Sequence, residues 1–237
     1  NNMSTKFVLI DSGHNKLTAG KRSPDSTLYE YEFNYDVSNR IAKHLQRHGV
    51  LAHVQQIEIK SSTAEVNQRV KAANDLTPDI LVSIHANAYG TSFNSANGWE
   101  IFCYRLQGDS LELAQAIEKE SIPYLGLRNR GIKNGENLAM VGKTSMPAVL
   151  IEHGFYTNKA ECELLKTDAF REKCAIADSK GILSYLGIAW IDGVKQNQSN
   201  KYAAAVQSRF GFDDNTMKYL KEYKYAEALL KRLAETK

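Results

Sequence analysis

The chain has 237 residues, of which 43% are hydrophobic and 24% charged, with a formal net charge of +3. A chain this long buries roughly 70–75% of the surface its unfolded form exposes, so one sizeable domain with a small appendage is the expected size class. The composition excludes a disordered or low-complexity chain, and the weak net charge gives no ground for a nucleic-acid partner.

Phe7 to Ile10 is a short apolar run that ends in Asp11-Ser12-Gly13-His14, which predicts a buried strand feeding a turn. Lys16 to Ser26 is polar and predicts a surface loop. A helix is expected from about Thr27 or Leu28, with Phe33, Val37, Ile41 and Leu45 on one face and Gly49 as its stop. Val50 to Ile59 predicts a second strand. Ser62 with Glu65 reads as a capping box, and Val66, Val70 and Ala73 line the face of the helix that follows. Ile80 to Ile84 predicts a strand ending at His85, and Trp99 to Tyr104 a shorter one. Ser110 to Glu120 reads as a helix, residues 126–145 as loop around short elements, and Ala148 to Ile151 as a strand ending at Glu152. A long helix over Asp168 to Leu186 closes the unit.

Strands that alternate with helices predict an α/β fold: a mostly parallel or mixed central sheet with helices on both faces. The expected catalytic domain is 3–190. The remaining stretch, 194–237, is expected to be a small helical extension over Tyr202 to Phe210, Asp214 to Tyr223 and Tyr225 to Leu233. From Val194 to Lys237 nine basic residues face five acidic ones, a net +4 that leaves the rest of the chain at −1. Such a unit rarely supplies its own stable core. Docking on the main domain, dimerisation, or binding an anionic cell-envelope polymer are its expected roles. Cys103, Cys162 and Cys174 are too few and too widely spaced for a disulfide scaffold, and a reducing compartment of synthesis is expected. The start lacks a signal-peptide apolar region, and no run approaches the roughly 20 residues of a membrane span.

Three strands thus lead to His14, His85 and Glu152. If they are parallel, these side chains collect at the carboxyl edge of one sheet, where open α/β sheets form their crevice. Catalytic zinc generally takes three protein ligands and keeps a fourth position open. His14 and His85 are two candidates. Glu30, in the first turn of the Phe33 helix, reads equally as a third ligand or as the end of a capping box from Thr27. Glu32 is the alternative, but it lies about 200° around the helix from Glu30, so the two cannot serve interchangeably. His44, His48, His53 and His153 compete, but no HExxH pattern supports the first two, which read as surface residues. Cys103 lacks a basic neighbour in sequence and reads as buried.

These segments resemble the zinc-dependent N-acetylmuramoyl-L-alanine amidases with an Amidase_3-type catalytic domain, over about residues 5 to 187. Ile10-Asp11-Ser12-Gly13-His14 resembles an opening Asp-Pro-Gly-His-like turn, with Ser12 where proline is usual. Glu30 followed by Asn34, the Ser83-Ile84-His85-Ala86-Asn87 segment, and the stretch Pro147 to Asn158 around Glu152 are the other matches. His153 is a less usual neighbour and is read as a rim residue. The resemblance implies one zinc per chain held by His14, Glu30 and His85, with Glu152 as catalytic acid or base. It implies peptidoglycan as substrate, cut at the amide between N-acetylmuramic acid and L-alanine of the stem peptide. Zinc would polarise the carbonyl and acidify water, while Glu152 moved the protons. Asn87, Arg130 and Lys133 are candidates for the groove wall, the two cations facing stem-peptide carboxylates. Another zinc amide hydrolase, a stem peptidase or a sugar deacetylase, is the alternative. With no leader in the sequence, the resemblance points to a phage endolysin made in the bacterial cytoplasm and released by a holin-type lesion, or to a mother-cell lytic amidase.

Overall fold

The structure, a computed structural model, describes residues 5–192 together with 206, 210, 216, 220 and 226–235. The elements are β1 (Phe7–Ser12), α1 (Glu30–Arg47), β2 (Leu51–Gln55), α2 (Ser62–Leu76), β3 (Ile80–Asn87), β4 (Trp99–Cys103), α3 (Gly108–Leu125), β5 (Asn129–Asn134), α4 (Ala139–Gly142), β6 (Ala148–Phe155), α5 (Lys159–Lys166), α6 (Asp168–Tyr185) and α7 (Ala226–Glu235). Six strands form one sheet in the order β2-β1-β3-β6-β4-β5. β1, β2, β3 and β6 run parallel; β4 is antiparallel to β6 and parallel to β5. The sheet is therefore mixed, and the three strands bearing the predicted site are parallel.

Side chains of a strand alternate between faces, and the two faces are filled unequally. Val8, Ile10, Val82, Ile84, Val149 and Ile151 join the main core with Phe33, Val37 and Ile41 of α1, Leu113 and Ile117 of α3, and Cys174 and Ile182 of α6. Leu9, Leu81 and Ala148 face the other way, onto Ala73 of α2 and Met140 of α4. This second layer is thin, since α4 is a single turn.

Several sequence expectations shift, each for a local reason. β2 stops at Gln55 because the carbonyls of Ile57 and Ile59 instead accept hydrogen bonds from Asn15 Nδ2, at 3.0 and 3.1 Å. α1 starts at Glu30 with Tyr29 as its N-cap and no side-chain cap, because Thr27 is held in a turn by Ser23 and Asp25. α2 is capped by Ser61, whose Oγ accepts from Ala64 N, so the expected Ser62–Glu65 box does not form; Glu65 turns inward to Arg69 and Thr18. β6 runs on to Phe155, placing Glu152 inside the strand. α5, capped by Asn158, had no expectation in the sequence.

Of the expected C-terminal helices, Val206, Phe210, Thr216 and Leu220 are helical, and α7 covers most of the third and runs on past Leu233 to Glu235; the remaining positions lie outside the described residues. Val206 and Leu230 are buried together, flanked by Leu220, Leu233 and Ala234. Among the described residues no helix is long and apolar enough to cross a membrane.

Candidate metal and catalytic centre

His85 on β3 is the register partner of Glu152 on β6, and Glu152 stands opposite Glu100 on β4. Paired residues on neighbouring strands point to the same face. His85, Glu152 and Glu100 therefore form a row across three strands. β1 adds His14 at one end, directly after the strand that neighbours β3.

His14 has a φ of 58°, a left-handed conformation that a side chain with a Cβ adopts at a cost. Its turn needs Gly13, because a Cβ at position 13 would overlap the His85 imidazole. Gly13 N also donates to Ile84 O at 3.1 Å, locking the turn to β3. Glu30 enters from the first turn of α1. Its Oε1 lies 2.9 Å from His85 Nδ1 and its Oε2 3.4 Å from His14 Nε2. Donor atoms of His14, Glu30 and His85 all lie within 4.8 Å of one another. Asn34, one turn on, donates to Gly13 O at 2.8 Å and to Glu30 Oε1 at 3.3 Å, tying helix to turn.

The charges suit a cation. Burial pushes His14 down to about 3, so at neutral pH its imidazole is uncharged and keeps a lone pair. Burial would raise Glu30, but its hydrogen bond with His85 leads the effects that outweigh this and pull it to about 2. Two imidazoles and one ionised, buried carboxylate form a donor set that fits a borderline transition metal such as zinc. Glu152 is tuned the opposite way. Burial, followed by repulsion from Glu30 and Glu100, pushes its carboxyl well up, and its Oε2 is enclosed without a hydrogen-bond partner.

Beneath the row, Asp11 is fully buried. It accepts from Arg69 through both carboxylate oxygens, from Ser83 Oγ at 2.6 Å and from Gln55 Nε2 at 3.1 Å. This network joins β1, β2, β3 and α2 under the His14 turn. His153 corrects the sequence reading: one residue past Glu152, it points through to the opposite face and is fully buried. Its Nε2 lies 2.8 Å from Asp178 Oδ2 and its Nδ1 3.2 Å from His85 O. His44 and His48 are not free surface residues either. His44 is buried against Glu172 at 2.9 Å, and His48 stacks on Trp190 with 4.8 Å between ring centroids. His44 lies in the last turn of α1 and His48 is its C-cap, far from the first turn. Glu32 is exposed, and Cys103 is buried, as expected.

The three groove-wall candidates meet on one residue that the sequence reading did not single out. Glu100 Oε1 accepts from Asn87 Nδ2 at 2.7 Å, and its Oε2 accepts from Arg130 Nε at 2.5 Å and from Lys133 Nζ. Burial would raise Glu100, but Lys133 and Arg130 hold it below the ordinary carboxylate range. The available signal was a lone acid between Trp99 and Ile101, inside an apolar strand.

Known proteins share this architecture. A family model described as N-acetylmuramoyl-L-alanine amidase (Amidase_3) matches residues 8–184. An uncharacterised cell wall amidase of Bacillus anthracis is 32% identical over 198 residues, covering 78% of this chain and 36% of that protein. The N-acetylmuramoyl-L-alanine amidase LytC of Bacillus subtilis strain 168 is 31% identical over 181 residues, covering 75% and 35%. The chain thus spans about a third of the length of these two relatives. The crystal structure of an N-acetylmuramoyl-L-alanine amidase from Clostridium difficile 630 superposes with a TM-score of 0.71 at 30% identity, covering 78% of this chain and 98% of that one. The family match runs from the strand before His14 to the end of α6, so it takes in every part of the row and its supports, and the chain belongs to the N-acetylmuramoyl-L-alanine amidase family.

Proposed function

We propose that the chain hydrolyses the amide between N-acetylmuramic acid and L-alanine of the peptidoglycan stem, using one zinc ion held by His14, Glu30 and His85 and Glu152 as acid and base. The observation that carries this reading is the clustering of three ligand-type side chains beside a half-buried carboxylate with one enclosed, unpaired oxygen. When bound, zinc supplies Lewis acidity to the scissile carbonyl and the attacking water. Glu30 contributes the negative charge of the ligand set, and Asn34 holds it in place. Glu152 accepts the water proton on its carboxylate and delivers one to the departing amine nitrogen. Burial and the nearby Glu30 and Glu100 raise its pKa, which makes the carboxylate a stronger proton acceptor from water. Asn87, Arg130 and Lys133 line the groove beyond Glu152 and contact the stem peptide.

Mass spectrometry of digested, purified peptidoglycan tests the reading. Free L-alanine amino termini with intact glycan strands are expected. New termini inside the stem would assign a peptidase instead, and released acetate a deacetylase.

A further inference from the structure

We propose that Glu100 is a positioning residue that holds Arg130 and Lys133 as a receptor for a free carboxylate of the stem peptide, on the departing-amine side of the cut. The inference rests on the amidase reading for the identity of the substrate. Its own ground is the geometry of the row. The metal-type ligands lie over β1 and β3, Glu152 over β6, Glu100 over β4, and Arg130 and Lys133 on β5. A group that protonates the departing nitrogen has the amine half of the substrate on its far side from the carbonyl activator. That side is β4 and β5, so the stem peptide crosses these strands.

The receptor is built rather than incidental. The Glu100 side chain is 6% exposed, whereas those of Arg130 and Lys133 are 27% and 37% exposed, so the carboxylate is the floor and the cations are the rim. One carboxylate faces two cations, so these three side chains together carry a net +1. Arg130 spends Nε on Glu100 and Nη1 on Asn97 O at 3.4 Å, and Lys133 spends one of three ammonium donors. Further donors remain on both for an anionic guest. The Arg130 stem is fixed from two sides. Its guanidinium lies 4.9 Å from the Phe155 ring centroid, and a Cβ on Gly98 would meet its Cγ and Cδ at 3.0 Å. Strands are spaced about 4.8 Å apart, so β5 lies roughly 10 Å from β6. An extended peptide covers that in about three residues. A carboxylate on the second stem residue, measured from the nitrogen that Glu152 serves, falls within this reach.

Two muropeptides test the proposal, identical except that the α-carboxylate of the second stem residue is free in one and amidated in the other. The wild-type chain is expected to cleave the free acid at least about tenfold more efficiently, the difference residing in KM. R130Q and E100Q are expected to bring the two substrates within about twofold, and E100D to recover part of the preference, which a merely structural loss would not do. Thermal melts of the zinc-loaded variants verify folding, with R130Q, at the exposed rim, as the safeguard should E100Q unfold. Equilibrium dialysis of the free tripeptide L-alanyl-γ-D-glutamyl-L-lysine and of its amidated form reads the receptor without turnover. Cleavage without any preference in either measurement would overturn the proposal and leave the amidase reading intact. Preferential binding without cleavage at the lactyl amide would sustain the receptor and reject that reading.

Discussion

At the scale of single residues, the centre is a set of side chains placed by local backbone features. Gly13 is the sharpest case. Any Cβ there displaces the His85 ring, so G13A is expected to weaken zinc binding by about 10–100-fold, the range seen when groups that orient metal ligands are lost. Competition with a chromogenic chelator measures it, and unchanged affinity would mean that His85 is not a ligand. Glu152 and Glu30 should separate cleanly. E152Q keeps the shape but removes the proton acceptor, so kcat should fall by about 10²–10⁴ with zinc still bound. E30A removes the buried negative charge between two imidazoles and should lose the metal as well as the rate. Elemental analysis of each purified variant distinguishes the two, and a metal-replete E30A protein would leave Glu30 as no more than part of the first turn of α1.

At the scale of elements, the paired faces of the sheet explain both what was legible in the sequence and what was not. Apolar runs ending in His14 and His85 sit where hydrophobicity places them, because buried parallel strands are nearly continuous apolar segments. Glu30 was ambiguous because a first-turn acid serves a helix terminus as well as a metal, and its closeness to His14 and His85 exists only in the folded chain. Glu100, His153 and Arg69 were illegible for a different reason: their partners lie 30, 25 and 58 residues away in sequence. Arg69 carries the next prediction. It enters from α2 to meet Asp11, both fully enclosed, so R69M leaves an uncompensated buried carboxylate and should cost about 3–5 kcal/mol in urea unfolding. The pair also sets an acid dependence. Burial raises Asp11, but the charge and hydrogen bonds of Arg69, with Ser83, hold it below its unfolded value near ~3.9. Its contribution is therefore complete above that pH and fades as acid protonates the folded carboxylate. With chelator present to remove metal effects, the stability gap between wild type and D11N should shrink as pH drops from 5 towards 2. A gap that stays constant would show that the ion pair does not govern acid stability.

At the scale of the whole molecule, the family match ends with α6, yet the chain continues for some fifty residues. Trp190 begins that continuation by stacking on His48 and lying near His44, while Ile191 N donates to His48 Nε2 at 3.1 Å. The histidines that carry no chemistry thus anchor the exit of the chain to the C-terminal part of α1. α7 returns to the same region, with the Lys231 side chain against Gly49. Val206 and Leu230 bury each other, a cluster too small to be stable alone. The net +4 of this segment is screened at physiological salt, whereas apolar burial is not. Docking therefore ranks ahead of charge-driven targeting as the role of residues 194–237. Removing everything after Asp192 should lower Tm, by about 2–4 °C for each kcal/mol of stability that the docked segment supplies to a chain of this size. Cleavage of soluble muropeptides should persist, since no described residue of the segment belongs to the row. Sedimentation with intact cell walls should be nearly unchanged. The opposite pattern, an unaltered melt with wall sedimentation abolished, would make the segment a targeting module. A halved mass in solution would make it a dimer element, with α7 packing between copies.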